Sequence, residues 1–179
     1  MKFSNKAIVL DRDGVINIDY GYVHKIEDFK FIDGTFEALK KLQEKYTLFI
    51  FTGQSGIGRG YYTEEEFKRV NEFMMKIFEK EGIVITETVF CPHKPEDNCD
   101  CRKPKTKLVD YLIKKYNIDK KESYVIGDKT SDIKLAENAG MKSVLVKTGK
   151  GGKDKEFEVN PTFTAKDLVD ASKIIINEI

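Results

Sequence analysis

Three carboxylates, a stretch rich in hydroxyls and glycines, and a Cys/His cluster carry the chemistry of this 179-residue chain. Asp11 and Asp13 flank Arg12 directly behind the apolar run Ala7–Leu10, and Gly14 follows. In extended backbone, residues two apart project to the same side, so both carboxylates can face one point. There they repel unless a cation or a shared proton relieves them. Asp128, behind the apolar run 124–126, supplies a third carboxylate. Three acidic groups with no histidine among them suit a hard, oxygen-preferring cation such as Mg²⁺, which in turn attracts phosphate. For the first pair taken alone, a charged turn at a strand end is the plain alternative.

Thr52, Gly53, Gln54 and Ser55, with Gly56, Gly58 and Gly60 behind them, can offer hydroxyls and backbone N–H groups to an anion. No Gly-Lys-Ser/Thr follows, so this is not a Walker A loop, and alone it could equally be a flexible turn. Joined to the acidic set, it points to phosphoryl transfer. A carboxylate can attack phosphorus to form an acyl phosphate, splitting one hard displacement into two easier ones. A metal and cationic side chains stabilise the phosphoryl oxygens. A second carboxyl group protonates the leaving oxygen and then activates water.

Cys91, His93, Cys99 and Cys101 offer three thiolates and an imidazole, the set that Zn²⁺ takes tetrahedrally. Their one-residue spacers are tighter than the usual finger spacing, and three reduced thiols beside a surface histidine are the bland alternative. Four protein ligands leave no open position, which favours a structural ion. The loop 91–103 has prolines and charges but no apolar core of its own, so a metal would have to hold it. Such an ion would aim Arg102 and Lys103, a fork and a point charge suited to phosphate. An odd number of cysteines argues against a disulfide framework.

These residues need a scaffold, and short apolar runs alternating with amphipathic stretches provide one. Strands are expected at 7–10, 47–51, 83–90, 124–126 and 143–146, each nearly continuously apolar, as in strands covered on both faces. Helices are expected over 34–45, 106–116, 131–139 and 165–177, and from the Thr63/Glu66 capping box to Gly82. The alternation gives βαβ units, hence a mostly parallel sheet in a Rossmann-like three-layer α/β sandwich. Ligands bind such sheets beyond the carboxyl ends of the strands, where the residues named above fall. One domain over 1–179 is expected, with no insertion large enough for a cap. The Gly- and Lys-rich stretch 147–155 reads as a connector or a phosphate contact. His24 reads as a loop residue fixing the turn before it.

A net charge of +1 gives no general attraction for nucleic acid or an anionic membrane. No run approaches the roughly 18 apolar residues of a membrane span, and the first residues lack a secretory pattern. A cytoplasmic monomer acting on a small molecule is expected.

Asp-Arg-Asp-Gly-Val at 11–15, Thr52 closing the second strand and Gly-Asp-Lys-Thr-Ser-Asp at 127–132 resemble the motifs of the haloacid dehalogenase phosphatase superfamily, in order along most of the chain. The resemblance implies that Asp11 is the nucleophile, Asp13 the general acid and base, and Thr52 a phosphoryl ligand. It implies that Asp128 holds Mg²⁺ together with Asp11 and the backbone carbonyl of Asp13, while Asp132 supports them. The run Cys-Asp-Cys-Arg-Lys-Pro at 99–104 narrows the resemblance to the heptose-bisphosphate and histidinol-phosphate phosphatases. Both of these carry a zinc loop.

The segments 19–24 and 54–60 look like the heptose enzymes. By that likeness Asp19, Tyr20, Gly21, Tyr22, Thr52, Gly53, Gln54, Ser55, Arg102, Lys103 and Lys129 contact a sugar bisphosphate, and Lys103 also serves the chemistry. The segments 123–128 and 133–138 resemble the histidinol-phosphate enzymes and keep that substrate open. A zinc-stabilised binding module on an inactive phosphatase fold is the alternative of another class. One departure stands out: these families usually read Thr-Asn-Gln-Ser where this chain has Gly53, which puts its activity in question.

Overall fold

The structure, a computed structural model, describes residues 5–178. Six parallel strands form one sheet: β1 (Ala7–Leu10), β2 (Thr47–Gly53), β3 (Ile85–Cys91), β4 (Tyr124–Gly127), β5 (Lys142–Val146) and β6 (Phe163–Ala165). Their order is β3-β2-β1-β4-β5-β6. The chain leaves β1 to build one half of the sheet, then returns to its other side with β4. That reversal is the topological switch point at which doubly wound sheets bind ligands. Leu10 pairs with Ile50 on one side and Ile126 on the other, so Asp11 emerges at the switch.

Alternation along the central strands splits the core into two layers. On one face Ile8, Leu10, Leu48 and Ile50 pack with α1 (Thr35–Leu42), α3 (Glu64–Lys80) and α6 (Leu168–Asn177) through Leu39, Met74, Phe78 and Ile175. On the other, Val9, Phe49 and Phe51 pack with α4 (Lys107–Tyr116) and α5 (Thr130–Ala139) through Val109, Leu112 and Leu135. The result is the expected three-layer α/β sandwich. The capping box that opens α3 is formed on both sides: the Thr63 hydroxyl accepts from the Glu66 amide at 3.2 Å, and the Glu66 carboxylate accepts from the Thr63 amide at 2.8 Å.

Three local expectations are corrected. β3 begins at Ile85 rather than 83, and Thr86, Glu87 and Thr88 are only half-buried. It is an edge strand with a register break against β2, so it is not covered on both faces. Residue 165 ends β6 instead of starting a helix; α6 starts at Leu168, where the Asp167 carboxylate accepts from the Asp170 amide at 2.8 Å. The glycine-rich stretch behind β2 is not all loop, because Ser55–Gly58 form a short helical turn, α2.

Candidate active site

Asp11, Asp128 and Asp132 converge at the carboxyl ends of β1 and β4, each contributing an oxygen to a group lying within 4.8 Å. All three are buried. Lys103 reaches in from the loop after β3, its ammonium 3.0 Å from Asp11 Oδ1 and 2.6 Å from Asp132 Oδ1. Burial disfavours the charged form of Asp11, but Lys103 and Lys129 outweigh it and hold its carboxyl below the usual range. That keeps Asp11 an anion, as a nucleophile requires.

Asp128 forms no ion pair among the described residues, and the pull of Lys129 on it is outweighed. Burial, then Asp11 and Asp132, push its carboxyl up to about 8. Its Oδ2 accepts from the Lys150 amide at 2.6 Å, while its Oδ1 is buried with no hydrogen-bond partner among the described residues. A lone buried oxygen among crowded carboxylates is what a hard divalent cation relieves, so the residues fit Mg²⁺. Gly14 and Gly149, both at positive φ, close over this carboxylate. A Cβ on either would fall 2.5 Å or 2.2 Å from Asp128 Oδ2.

Asp13 is set differently. Arg12, completely buried, forks onto it, with Nη2 2.9 Å from Oδ1 and Nε 3.2 Å from Oδ2. Arg12 Nη2 also donates to the Val23 carbonyl at 2.8 Å, and its guanidinium lies between the Phe29 and Phe67 rings. Asn17 donates to Asp13 Oδ1 at 3.0 Å. The Gln54 amide donates to Asp13 Oδ2 at 3.3 Å and to the Thr52 hydroxyl at 2.8 Å. Which way that amide faces is decided by Tyr62, whose hydroxyl donates to Gln54 Oε1 at 2.6 Å. The Tyr62 ring stacks on His24. His24 Nδ1 lies 2.7 Å from the Tyr22 carbonyl, so it does pin the turn before it.

Two connected lobes, each about 250 Å³, open over the carboxylates. One is lined by Asp11, Asp132, Arg102 and Lys103, the other by Asp19, Gly21, Tyr22 and Gln54. They share Asp13, Gly53, Ser55, Lys129 and Lys150. Tyr20 lines neither lobe and is exposed beneath the Lys30 ammonium. A Cβ on Gly53 would meet nothing within 4 Å, so space does not demand glycine there.

The Cys/His cluster closes as a compact group. Cys91 Sγ stands 3.0 Å from Cys101 Sγ and 3.6 Å from Cys99 Sγ, and His93 Nδ1 lies 3.2 Å from Cys101 Sγ. These separations are far beyond a disulfide bond of about 2 Å and approach the edges of a tetrahedron with metal–sulfur bonds of about 2.3 Å. The four residues therefore fit a closed Zn²⁺ site. Burial raises the Cys91 thiol, whereas backbone and thiol hydrogen bonds overcome burial at Cys99 and lower it. The loop docks on α2, where the Gly58 amide donates to the Pro92 carbonyl at 2.8 Å.

Comparisons with known proteins find relatives along most of the chain. A HAD-hydrolase-like family model matches residues 100–171. A D-glycero-beta-D-manno-heptose-1,7-bisphosphate 7-phosphatase of Haemophilus ducreyi is 50% identical over 154 residues, which are 81% of this chain and 85% of the relative. The chain belongs to this heptose-bisphosphate phosphatase family. A family member named for the alpha anomer, from Campylobacter jejuni, is 46% identical over 142 residues, 79% of this chain and 81% of the relative. The crystal structure of D,D-heptose 1,7-bisphosphate phosphatase from B. bronchiseptica, complexed with magnesium and phosphate, superposes with a TM-score of 0.90. It is 29% identical and covers 97% of this chain and 99% of that one.

Within the heptose-bisphosphate phosphatase fold, sequence reasoning had missed Arg12, Tyr62 and Lys150. Arg12 reads as one more charge in a charged turn, although it is the wholly buried clamp on Asp13. Tyr62 precedes a helix cap and carries no pattern of its own. Lys150 lies in the stretch read as a connector or a phosphate contact, and only the fold shows that this stretch wraps Asp128.

Proposed function

We propose that this protein is a Mg²⁺-dependent phosphatase that removes the 7-phosphate of D-glycero-D-manno-heptose 1,7-bisphosphate. The carrying observation is the pairing of an anionic Asp11, held by Lys103, with a separately clamped Asp13 across one cavity. The substrate for which the relatives are named supports the sugar. Its anomer is named both ways among relatives of similar identity, so both anomers belong in the assay.

In the first step a carboxylate oxygen of Asp11 attacks phosphorus, and an acyl phosphate forms on Asp11 as the bond to the sugar oxygen breaks. Asp13 gives its proton to the departing hydroxyl. It then takes a proton from water, which attacks phosphorus and returns Asp11 as a carboxylate. Lys103 and the Thr52 hydroxyl, held by Gln54, meet the phosphoryl oxygens. Mg²⁺, bound by Asp11, Asp128 and the Asp13 carbonyl, would supply charge for those oxygens. Zn²⁺ on Cys91, His93, Cys99 and Cys101 would hold the loop that delivers Arg102 and Lys103. No described helix is long and apolar enough to cross a membrane.

Phosphate release with Mg²⁺ from both heptose bisphosphate anomers, histidinol phosphate and simple sugar phosphates tests the reading. The highest kcat/KM is expected on a heptose bisphosphate, with Asp11→Asn abolishing release. A preference for histidinol phosphate overturns the substrate, and no release from any of them overturns the enzyme.

A further inference from the structure

We infer that Tyr62 is a positioning residue for proton transfer: through Gln54 it holds Asp13 Oδ2, the oxygen that passes a proton to the departing sugar oxygen. The assignment rests on the acyl-phosphate reading above and adds a residue to it. Asp13 accepts from four side-chain N–H groups. Its Oδ1 takes the two shorter contacts, from Arg12 Nη2 at 2.9 Å and Asn17 Nδ2 at 3.0 Å. Its Oδ2 takes the two longer ones, from Arg12 Nε at 3.2 Å and Gln54 Nε2 at 3.3 Å. The more loosely held oxygen is the one that can exchange a proton with the substrate. Gln54, which lines the lobe bounded by Asp19 and Tyr22, is its contact on the cavity side.

A side-chain amide can face either way, and reversed it would set the Gln54 oxygen against Asp13 Oδ2, two acceptors together. The Tyr62 hydroxyl draws that oxygen away, donating to it at 2.6 Å, the shortest bond of the relay. Burial pushes this hydroxyl up to about 12, so it keeps the proton it donates. Without it, Gln54 Oε1 would be a buried acceptor lacking a partner, which favours turning the amide. Tyr62 is itself fixed. Its ring stacks on His24 with centroids 4.7 Å apart and fills the space that a Cβ on Gly56 would take. His24 closes the turn 21–24, whose Val23 carbonyl also accepts from Arg12 Nη2 at 2.8 Å. Residues 21–23 of that turn wall the lobe into which the sugar extends. The wall that receives the sugar and the group that protonates it therefore share one support.

Tyr62→Phe removes the hydroxyl but keeps the ring on His24 and Gly56. The test compares it with the unaltered protein, Gln54→Ala and Tyr61→Phe, on heptose 1,7-bisphosphate and on p-nitrophenyl phosphate. Enzyme with Mg²⁺ is held in excess, so a single turnover reports the first step alone. A sugar oxygen needs a proton to depart, whereas nitrophenolate departs without one. Tyr62→Phe should slow the first step about tenfold on the bisphosphate and no more than about twofold on p-nitrophenyl phosphate, with little change in KM. Effects through Thr52, which also accepts from Gln54, fall on both substrates and cancel in their ratio. Gln54→Ala should show the same selective loss, and Tyr62→Phe added to it should change the ratio no further. Tyr61→Phe, at an exposed neighbour, should match the unaltered protein. Equal losses on both substrates, no loss on either, or a full second loss in the double variant overturns the role of Tyr62 while leaving the enzyme's function standing. Failure of the unaltered protein to turn over the bisphosphate overturns the functional reading and this assignment with it.

Discussion

Asp11 and Asp13 lie two residues apart, yet different cations answer them, which is what the proposed split of nucleophile and proton carrier needs. Lys103 answers Asp11 from a distant loop, while Arg12 answers Asp13 from the intervening position with the Nε/Nη2 edge of its guanidinium. A lysine in place of Arg12 keeps the charge but cannot fork or stay flat between Phe29 and Phe67. Arg12→Lys is therefore expected to lower kcat at least tenfold with a smaller change in KM, and to lower the melting temperature. Breaking a buried pair costs about 3 kcal/mol or more; steady-state kinetics and thermal melts check both effects. The acidic pair stood out in the sequence only together with Asp128 and the hydroxyl-rich stretch behind other strands, since alone it reads as a charged turn. The arginine's role was not legible, since nothing local distinguishes an arginine pointing into the core from one pointing to water. The same holds for Tyr62, which acts through Gln54 across a gap that only folding closes.

At the scale of elements, the long amphipathic segments were readable and the short ones were not. α3 was legible because a capping box and a run of apolar positions agree over 17 residues. β6 was missed because three residues hold too little periodicity, and its pairing with β5 is decided elsewhere in the chain. β3 was extended too far because its apolar start precedes the point where the β2 ladder accepts it. The Cys/His cluster was legible from residue types alone, as its loop has no core that could mask them. Its anchors to the rest of the fold are a few polar contacts rather than a core of its own, so removal of a bound zinc should act mainly on this element. Chelation, or Cys101→Ser, is expected to cut kcat/KM sharply by releasing Arg102 and Lys103. Far-ultraviolet circular dichroism should change little, because the sheet does not depend on the loop. A variant of full activity after confirmed zinc loss would contradict that role.

For the molecule as a whole, the site works against the stability of the sheet that carries it. Asp128, pushed up to about 8 from an ordinary 3.8, keeps in the folded protein a proton that the unfolded chain loses near pH 4. Between roughly pH 4 and 8 the native state therefore binds more protons, and metal-free stability falls as pH rises through that window. Asp11, lowered by its lysines, acts the other way only below the carboxylate range. Mg²⁺ competes with the Asp128 proton, so its stabilising shift in melting temperature should be larger at pH 8 than at pH 5. Equal shifts at both pH values would mean that the cation sits elsewhere.

The central claim is that the cavity attacks one particular phosphate, through Asp11. Phosphorus NMR on D-glycero-D-manno-heptose 1,7-bisphosphate with Mg²⁺ observes both phosphates at once. The account predicts loss of the C7 resonance, growth of inorganic phosphate and retention of the C1 resonance, with no change in a sample containing Asp11→Asn. Release of the C1 phosphate first, or continued release by Asp11→Asn, would contradict it.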